Sequence, residues 1–171
     1  MKEFWTGVIL FFVIICSLWL QLNLFNIVPL FGIKANIGIV LVVALSILCG
    51  LRIGISVGIV YGLLLDCLLE KSVGIFTLLF FLVGFFCGKA SNRFSKENKT
   101  SIILITAGTT IIFEILSYMF FVVNYKYDID IFHIIKTIII EVIYNVIISM
   151  LCFRAFTWLA DGLNRENKSY Y

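Results

Sequence analysis

Between Lys34 and Glu70 the chain contains only two charged residues, Arg52 and Asp66. A single helix of this length would run roughly 50 Å, whereas a bilayer core of about 30 Å needs only about 20 residues. The stretch therefore predicts two membrane helices joined by a turn at Gly50-Leu51-Arg52. Each arm is short, so we expect local thinning of the bilayer or burial among neighbouring helices.

The rest of the chain has the same apolar character, since 62% of its 171 residues are hydrophobic and 13% are charged. Soluble domains are about 45–50% apolar and about 25% charged, so a soluble core of this size could not bury the excess. The net charge of +3 is scattered, which excludes a nucleic-acid surface. The composition predicts an all-α integral membrane protein with one transmembrane domain over residues 1–171.

Apolar runs separated by polar breaks predict a compact bundle of six spans. They are Phe4–Leu22, Asn36–Gly50, Ile53–Leu69, Val73–Lys89, Ile102–Val123 and Thr137–Leu159. Five spans, with one middle segment re-entrant, is the alternative. With the N-terminus in the cytoplasm, nine Lys and Arg residues fall in cytoplasmic segments and four in outer segments. The positive-inside rule therefore predicts a multi-pass protein of the cell membrane with both termini in the cytoplasm.

Two polar segments flank the last predicted span. The residues from Asn124 to Lys136 alternate between polar and apolar, which indicates an interfacial or short extended piece. The polar tail from Asp161 to Tyr171 is expected to fray.

Small residues recur at every fourth position before Asp66. The set is Ser46, Gly50, Gly54, Gly58, Gly62 and then Asp66. On a helix this spacing forms a slanted groove along which another helix backbone can approach closely. The groove either packs against a helix of the same chain or docks the span of a partner. Asp66 either ends the span at the interface or makes a structural or partner contact, and Gly84 and Gly88 give the fourth span a second close-packing face.

Glu114 lies inside the fifth predicted span. At the usual helical rise its depth is roughly 18 Å, and Asn145 on the sixth span reaches the same level from the other side. A carboxyl group at that depth should face protein. We therefore expect Glu114 to form a buried polar cluster with Tyr144 or Asn145, and Glu141 shares the face of Asn145. Three roles for this cluster remain open: holding the helices together, forming a substrate or proton path, and contacting a partner.

Motifs of catalysis are absent from the sequence. It contains no Walker loop, G-x-S-x-G or H-E-x-x-H, and His133 is its only histidine. The five cysteines lie in apolar stretches without C-x-x-C spacing. The sequence therefore predicts no catalytic residue, no metal site and no cofactor.

The stretch from Lys34 to Lys89 resembles the MreD family of bacterial rod shape-determining membrane proteins. The resemblance is carried by the G-x-x-x-G-x-x-x-G-L-L-L-D run that ends at Asp66 and by the Gly74 that follows it. It implies a non-catalytic subunit of the cell-elongation machinery, which synthesises peptidoglycan. The partners it implies are an MreC-like protein, an MreB-like cytoskeleton, and a peptidoglycan glycosyltransferase and transpeptidase, besides the membrane lipid.

The MreD family is itself similar to the substrate-binding subunits of energy-coupling-factor vitamin transporters, which have a six-helix fold. This likeness implies an alternative function, the binding of a vitamin in a pocket that opens outward. Polar residues in the outer segments would line such a pocket: Asp66, Asn124, Asp128, Asp130 and His133.

Overall fold

The computed structural model describes residues 2–27, 32–69, 74–91, 99–125 and 131–167. Within these residues the chain forms six α-helices, which confirms the prediction of an all-helical bundle. They are α1 (Lys2–Ile27), α2 (Ile37–Cys49), α3 (Leu51–Leu69), α4 (Ile75–Ala90), α5 (Lys99–Tyr125) and α6 (Ile131–Asn167). Segments of α3, α5 and α6 are long and apolar enough to cross a membrane, and α1, α2 and α4 contribute shorter apolar segments.

Helix α2 is the centre of the bundle, in contact with each of the other five helices. Every residue from Ile37 to Leu48 is buried, and most of them are Ile, Leu or Val. A helix of 13 residues is only about 20 Å long, less than the thickness of a bilayer core. Because other helices surround it, α2 needs no match to the lipid thickness.

Large aromatic side chains fill the space beside this central helix. The ring of Tyr61 on α3 lies 5.0 Å from that of Phe80 on α4, and Phe80 lies 4.9 Å from Phe113 on α5. Gly38 on α2 leaves room for the first two rings, since a Cβ there would lie 2.7 Å from Cζ of Tyr61. The aromatic rings thus connect four helices.

The break between α2 and α3 lies at Gly50. Its φ of 92° is in the left-handed region that favours glycine. The neighbours Leu51 and Arg52, which the sequence placed in the turn, are already the first residues of α3. The turn is therefore tighter than predicted.

Two further expectations differ from the structure in part. Residues 131–136 form the first turns of α6, so this part of the Asn124–Lys136 segment is helical rather than extended. Its interfacial position stays a prediction. Helix α6 also continues to Asn167, so most of the supposedly frayed tail is helical. Leu163 in that extension and Ala160 directly before it are buried, which explains why the helix persists there. The remaining residues of both segments, 126–130 and 168–171, lie outside the described residues.

Candidate functional site

The glycines of α3 lie against α4 and bring the two backbones into close contact. A Cβ on Gly62 would lie 2.7 Å from the carbonyl oxygen of Phe76, and one on Gly54 would lie 2.9 Å from that of Gly84. A Cβ on Gly58 would meet the carbonyl group of Phe80. Real Cβ atoms do not approach other atoms so closely, so side chains at these positions would push the helices apart.

The second close-packing face proposed for α4 lies on the other side of the same contact. A Cβ on Gly84 would lie 2.7 Å from the carbonyl carbon of Gly54, and one on Gly88 would lie 2.7 Å from Cα of Leu51. The glycines of α3, which we call the glycine stripe (Gly54, Gly58 and Gly62), therefore face Gly84 and Gly88 of α4. The surface between α3 and α4 is therefore filled by this chain.

Ser46 and Gly50, the first two members of the predicted groove, do not lie on α3 with the other glycines. Ser46 is on α2, where its hydroxyl group donates to the carbonyl oxygen of Val42, although its side chain contacts the α3 stripe at Gly54. Gly50 ends α2, and among the described residues a Cβ there would have only the Ser91 hydroxyl within 4.0 Å. The groove along one helix therefore consists of Gly54, Gly58 and Gly62.

Asp66 ends the stripe and caps the N-terminus of α4. Its carboxylate, 3% exposed, accepts hydrogen bonds from the backbone N–H groups of Phe76 at 3.1 Å and Thr77 at 2.9 Å. The Thr77 hydroxyl donates to it at 2.6 Å. These are the second and third residues of α4, the usual targets of an N-cap side chain. The residue at the N-cap position itself is Gly74, which has no side chain to offer.

Polar side chains from three helices and from the segment before α2 surround the N-terminus of the buried helix α2. We call this group the amide–carboxyl cluster. Its members are Gln21 on α1, Asn36 before α2, Thr110 and Glu114 on α5, and Glu141 and Asn145 on α6. Backbone N–H groups in a membrane interior must find acceptors within the protein, because no water is present there to accept their hydrogen bonds.

Two amide side chains of the cluster serve the backbone at the start of α2. The side-chain carbonyl of Gln21 accepts from the N–H of Ile37 at 2.7 Å, and its amide donates to the carbonyl oxygen of Ala35 at 3.0 Å. Asn36 acts as the N-cap and accepts from the N–H of Ile39 at 3.3 Å. The start of α2 is thus fixed by α1 as well as by its own cap.

Asn145 joins three helices at this point. It is fully buried, accepts from the backbone N–H of Asn36 at 2.9 Å and donates to the Thr110 hydroxyl at 3.1 Å. Thr110 passes the interaction on, since its hydroxyl donates to the carbonyl oxygen of Thr106. The sequence prediction placed Asn145 in a buried cluster, and the structure places it at the centre of this one.

Glu114 meets a second carboxyl group rather than Asn145. Its side chain lies within hydrogen-bonding reach of Glu141, whose carboxyl group also approaches the side chains of Asn145 and Asn36. A hydrogen bond between two carboxyl groups requires a proton on one of them. Glu141 is buried and Glu114 is half-buried. Tyr144, the other predicted partner of Glu114, directly precedes Asn145 on α6 and is half-buried.

Four members of the cluster were not among the predicted site residues. Two of them carried a signal: Asn36 stands as an N-cap residue directly before an apolar run, and Glu141 is four residues before Asn145. Gln21 and Thr110 carried none beyond being polar within apolar segments. Their role depends on how α1 and α5 pack against α2, which periodicity does not specify.

The described residues contain no group of three or more His, Cys, Asp or Glu side chains that could hold a metal ion. Asp66 and the side chains of the amide–carboxyl cluster instead form hydrogen bonds with one another and with the backbone at the ends of helices. Chemically, the arrangement can hold helices at fixed positions in a medium without water.

The comparison with known families agrees with this architecture. A family model described as rod shape-determining protein MreD matches residues 1–159. The chain belongs to the MreD family. The match extends from the first helix into α6 and includes both the glycine stripe and the amide–carboxyl cluster. No curated protein and no solved structure matches the chain.

Membership in the MreD family establishes a role in rod-shape determination and agrees with a protein whose apolar helices suit a membrane. The likeness to energy-coupling-factor subunits stays a prediction, since no solved structure supports it. Of the residues suggested for a vitamin pocket, Asp66 is buried as the cap of α4 and His133 is exposed on α6. The other three, Asn124, Asp128 and Asp130, have no described side chains.

Proposed function

We propose that the chain is a non-catalytic scaffold subunit of the cell-elongation machinery and binds an MreC-like partner in the cell membrane. The observation that carries the proposal is the match to the MreD family over residues 1–159. In this proposal an MreB-like cytoskeleton lies beneath it, and a peptidoglycan glycosyltransferase and transpeptidase act beside it. Six membrane spans with both termini in the cytoplasm are part of the same proposal.

The way the protein uses its polar groups supports a scaffold rather than an enzyme. Asp66 caps α4, Asn145 joins α2, α5 and α6, and Gln21 holds the start of α2. Each of these hydrogen bonds fixes one helix relative to another. A rigid bundle of this kind can present a constant lateral surface to partners.

The occupied glycine stripe restricts where a partner can dock. Because α4 already covers Gly54, Gly58 and Gly62, the partner span has to contact another face. An apolar groove of about 270 Å³ lies between α4 and α5. It is lined by Leu79, Leu82, Val83, Phe86, Cys87, Thr109, Ile112, Phe113 and Leu116. We place the partner span in this groove, where ridges of its side chains could enter.

A bulky side chain in the groove tests this placement. Ile112 is 61% exposed in the groove, and Ile143 on α6 is 53% exposed outside it. Ile112→Trp should reduce recovery of the MreC-like partner, while Ile143→Trp should leave it unchanged. Cells that depend on the Ile112→Trp protein should become rounded although the protein accumulates normally. Equal partner recovery with both variants would exclude the groove as the docking face.

A further inference from the structure

A cleft of about 420 Å³ opens beside the amide–carboxyl cluster, between the segment before α2 and the start of α6. Its lining residues are Gly32, Ile33, Lys34, His133, Lys136, Thr137 and Glu141. We call it the outer cleft, since the charge bias places this end of the bundle outside the cell. Its volume lies within the range of about 300–1,000 Å³ that is typical of ligand sites.

The charges of the outer cleft are arranged in a fixed order. Lys34, His133 and Lys136 are exposed at its mouth, and Glu141, 5% exposed, is part of its buried wall. On α6 the residues His133, Thr137 and Glu141 are four positions apart and therefore lie on one face. A ligand that follows this face inward meets positive charge first, then a hydroxyl group and finally a carboxyl group.

This order of charges excludes a metal cation and a simple anion as the ligand. A metal cation would first meet two lysines, and a simple anion that entered fully would meet Glu141. A phosphate ester that also carries a hydrogen-bond donor fits both ends of the cleft. Its phosphate oxygens can meet the lysines at the mouth, and its donor can meet Glu141 in the wall. Lysine ammonium groups donate to phosphate oxygens, and a carboxyl oxygen accepts from an ammonium or hydroxyl group.

The surroundings of the cleft indicate that the phosphate ester belongs to a lipid. The first turns of α6, beside the cleft, present large apolar side chains outward: Ile131 is 65% exposed, Phe132 is 80% exposed and Ile135 is 52% exposed. In a membrane these side chains contact acyl chains. A phospholipid at the cleft can therefore keep its chains against α6 while its headgroup enters.

We propose that the outer cleft binds the headgroup of a phospholipid whose phosphate ester carries an ammonium or hydroxyl donor. Lys34 and Lys136 hold the phosphate, and Glu141 accepts the hydrogen bond from the donor. Binding at this site couples the lipid to the amide–carboxyl cluster, because Glu141 also contacts Glu114 and Asn145. The proposal does not depend on the identity of the protein partner.

Native mass spectrometry of the full chain in nanodiscs tests the proposal. The nanodiscs contain equal amounts of phosphatidylethanolamine, phosphatidylglycerol and phosphatidylcholine, the last of which has no donor on its headgroup. The wild-type protein should retain the first two lipids in preference to phosphatidylcholine. Equal retention of all three lipids by the wild-type protein would overturn the proposal without any substitution.

Variants assign the lipid to the cleft. Lys34→Gln with Lys136→Gln should reduce the retained fraction at least about tenfold, since the loss of one charged hydrogen bond already has an effect of this size. The matched control removes two lysines from the other end of the bundle, Lys89→Gln with Lys99→Gln, and should retain the lipid. Glu141→Gln should narrow the preference for phosphatidylethanolamine over phosphatidylcholine. Equal loss in both lysine pairs would overturn the assignment to the cleft.

A competition arm distinguishes a lipid from a soluble phosphate ester. Soluble glycerophosphoethanolamine is added to the lipid-loaded protein at increasing concentration. Retention of the lipid shows that the chains beside Phe132 contribute to binding. Displacement shows that the headgroup chemistry alone is sufficient and that the ligand can also come from solution. If the protein binds neither the lipid nor the soluble ester, the proposal is contradicted.

Discussion

The carboxylate of Asp66 on α3 accepts hydrogen bonds from both the backbone N–H and the hydroxyl group of Thr77 on α4, at 2.9 and 2.6 Å. The carboxylate thereby caps a helix to which it does not belong. A negative charge at that end also interacts favourably with the helix dipole. Together with the glycine contacts, the cap fixes α3 and α4 as one hairpin.

Replacing Asp66 by Ala should destabilise this hairpin. Loss of an N-cap side chain costs about 0.5–2 kcal/mol, and the Thr77 hydroxyl loses its partner in addition. Asp66→Asn should have an intermediate effect because one oxygen acceptor remains. The free energy of unfolding in mixed micelles measures the difference. Ser56→Ala is the control, since the exposed Ser56 hydroxyl donates only to Arg52 of its own helix. A cost no larger than that of the control would contradict the capping role.

A single methyl group on the glycine stripe should have a larger effect than its size suggests. At Gly62 it would lie 2.7 Å from the carbonyl oxygen of Phe76, so α3 and α4 must separate. Overpacking of this kind typically costs about 1–3 kcal/mol. Gly108→Ala on α5 is the matched control, since a Cβ there meets no atom of the described residues within 4 Å and helix propensity improves. We expect Gly62→Ala to lower the yield of folded protein and Gly108→Ala to leave it unchanged or higher.

Asn145→Leu should loosen the contact between α2, α5 and α6. The substitution leaves the N–H of Asn36 without its acceptor and Thr110 without its donor. Side-chain hydrogen bonds in membrane proteins contribute about 0.6 kcal/mol on average and up to about 1.7. Asn23→Leu is the control, because Asn23 is exposed and, in the described part of the chain, donates to the carbonyl oxygen of Trp19 on its own helix. Unfolding in mixed micelles should show a cost only for Asn145, and equal stability of the two variants would refute its central place.

Cysteine labelling tests the proposed orientation. In a variant without the five native cysteines, a cysteine in place of Lys34, at the mouth of the outer cleft, should react with an impermeant reagent added to intact cells. A cysteine at Arg52, in the first turn of α3, should react only after the membrane is opened. Both positions are exposed in the structure, so access depends on the side of the membrane alone. The opposite labelling pattern would reverse the orientation and place the outer cleft inside the cell.

The sequence contained enough information for the helices and for part of their contacts. Gly50 was predictable as the break because an apolar stretch of that length cannot cross the bilayer once. The common depth of Glu114 and residues 141–145 was predictable from the helical rise, since α5 and α6 are neighbours in the chain.

What the sequence could not specify are contacts that depend on packing. The spacing of the glycines did not show whether α4 or a partner fills the stripe, nor that the side chain of Ser46 on α2 contacts it at Gly54. Asp66 as a cap requires a closed hairpin in which α4 begins beside the end of α3. The contact between Gln21 and Ile37 requires α1 to lie against α2, and nothing in the local pattern of α1 indicates this.

The scaffold function is tested most directly by crosslinking the chain in native membranes, purifying it and identifying the attached proteins by mass spectrometry. We expect an MreC-like protein with the wild-type chain and with Ile143→Trp, and a strongly reduced amount with Ile112→Trp. Recovery of a transporter ATPase without any protein of the elongation machinery would contradict the account and favour the vitamin-binding alternative.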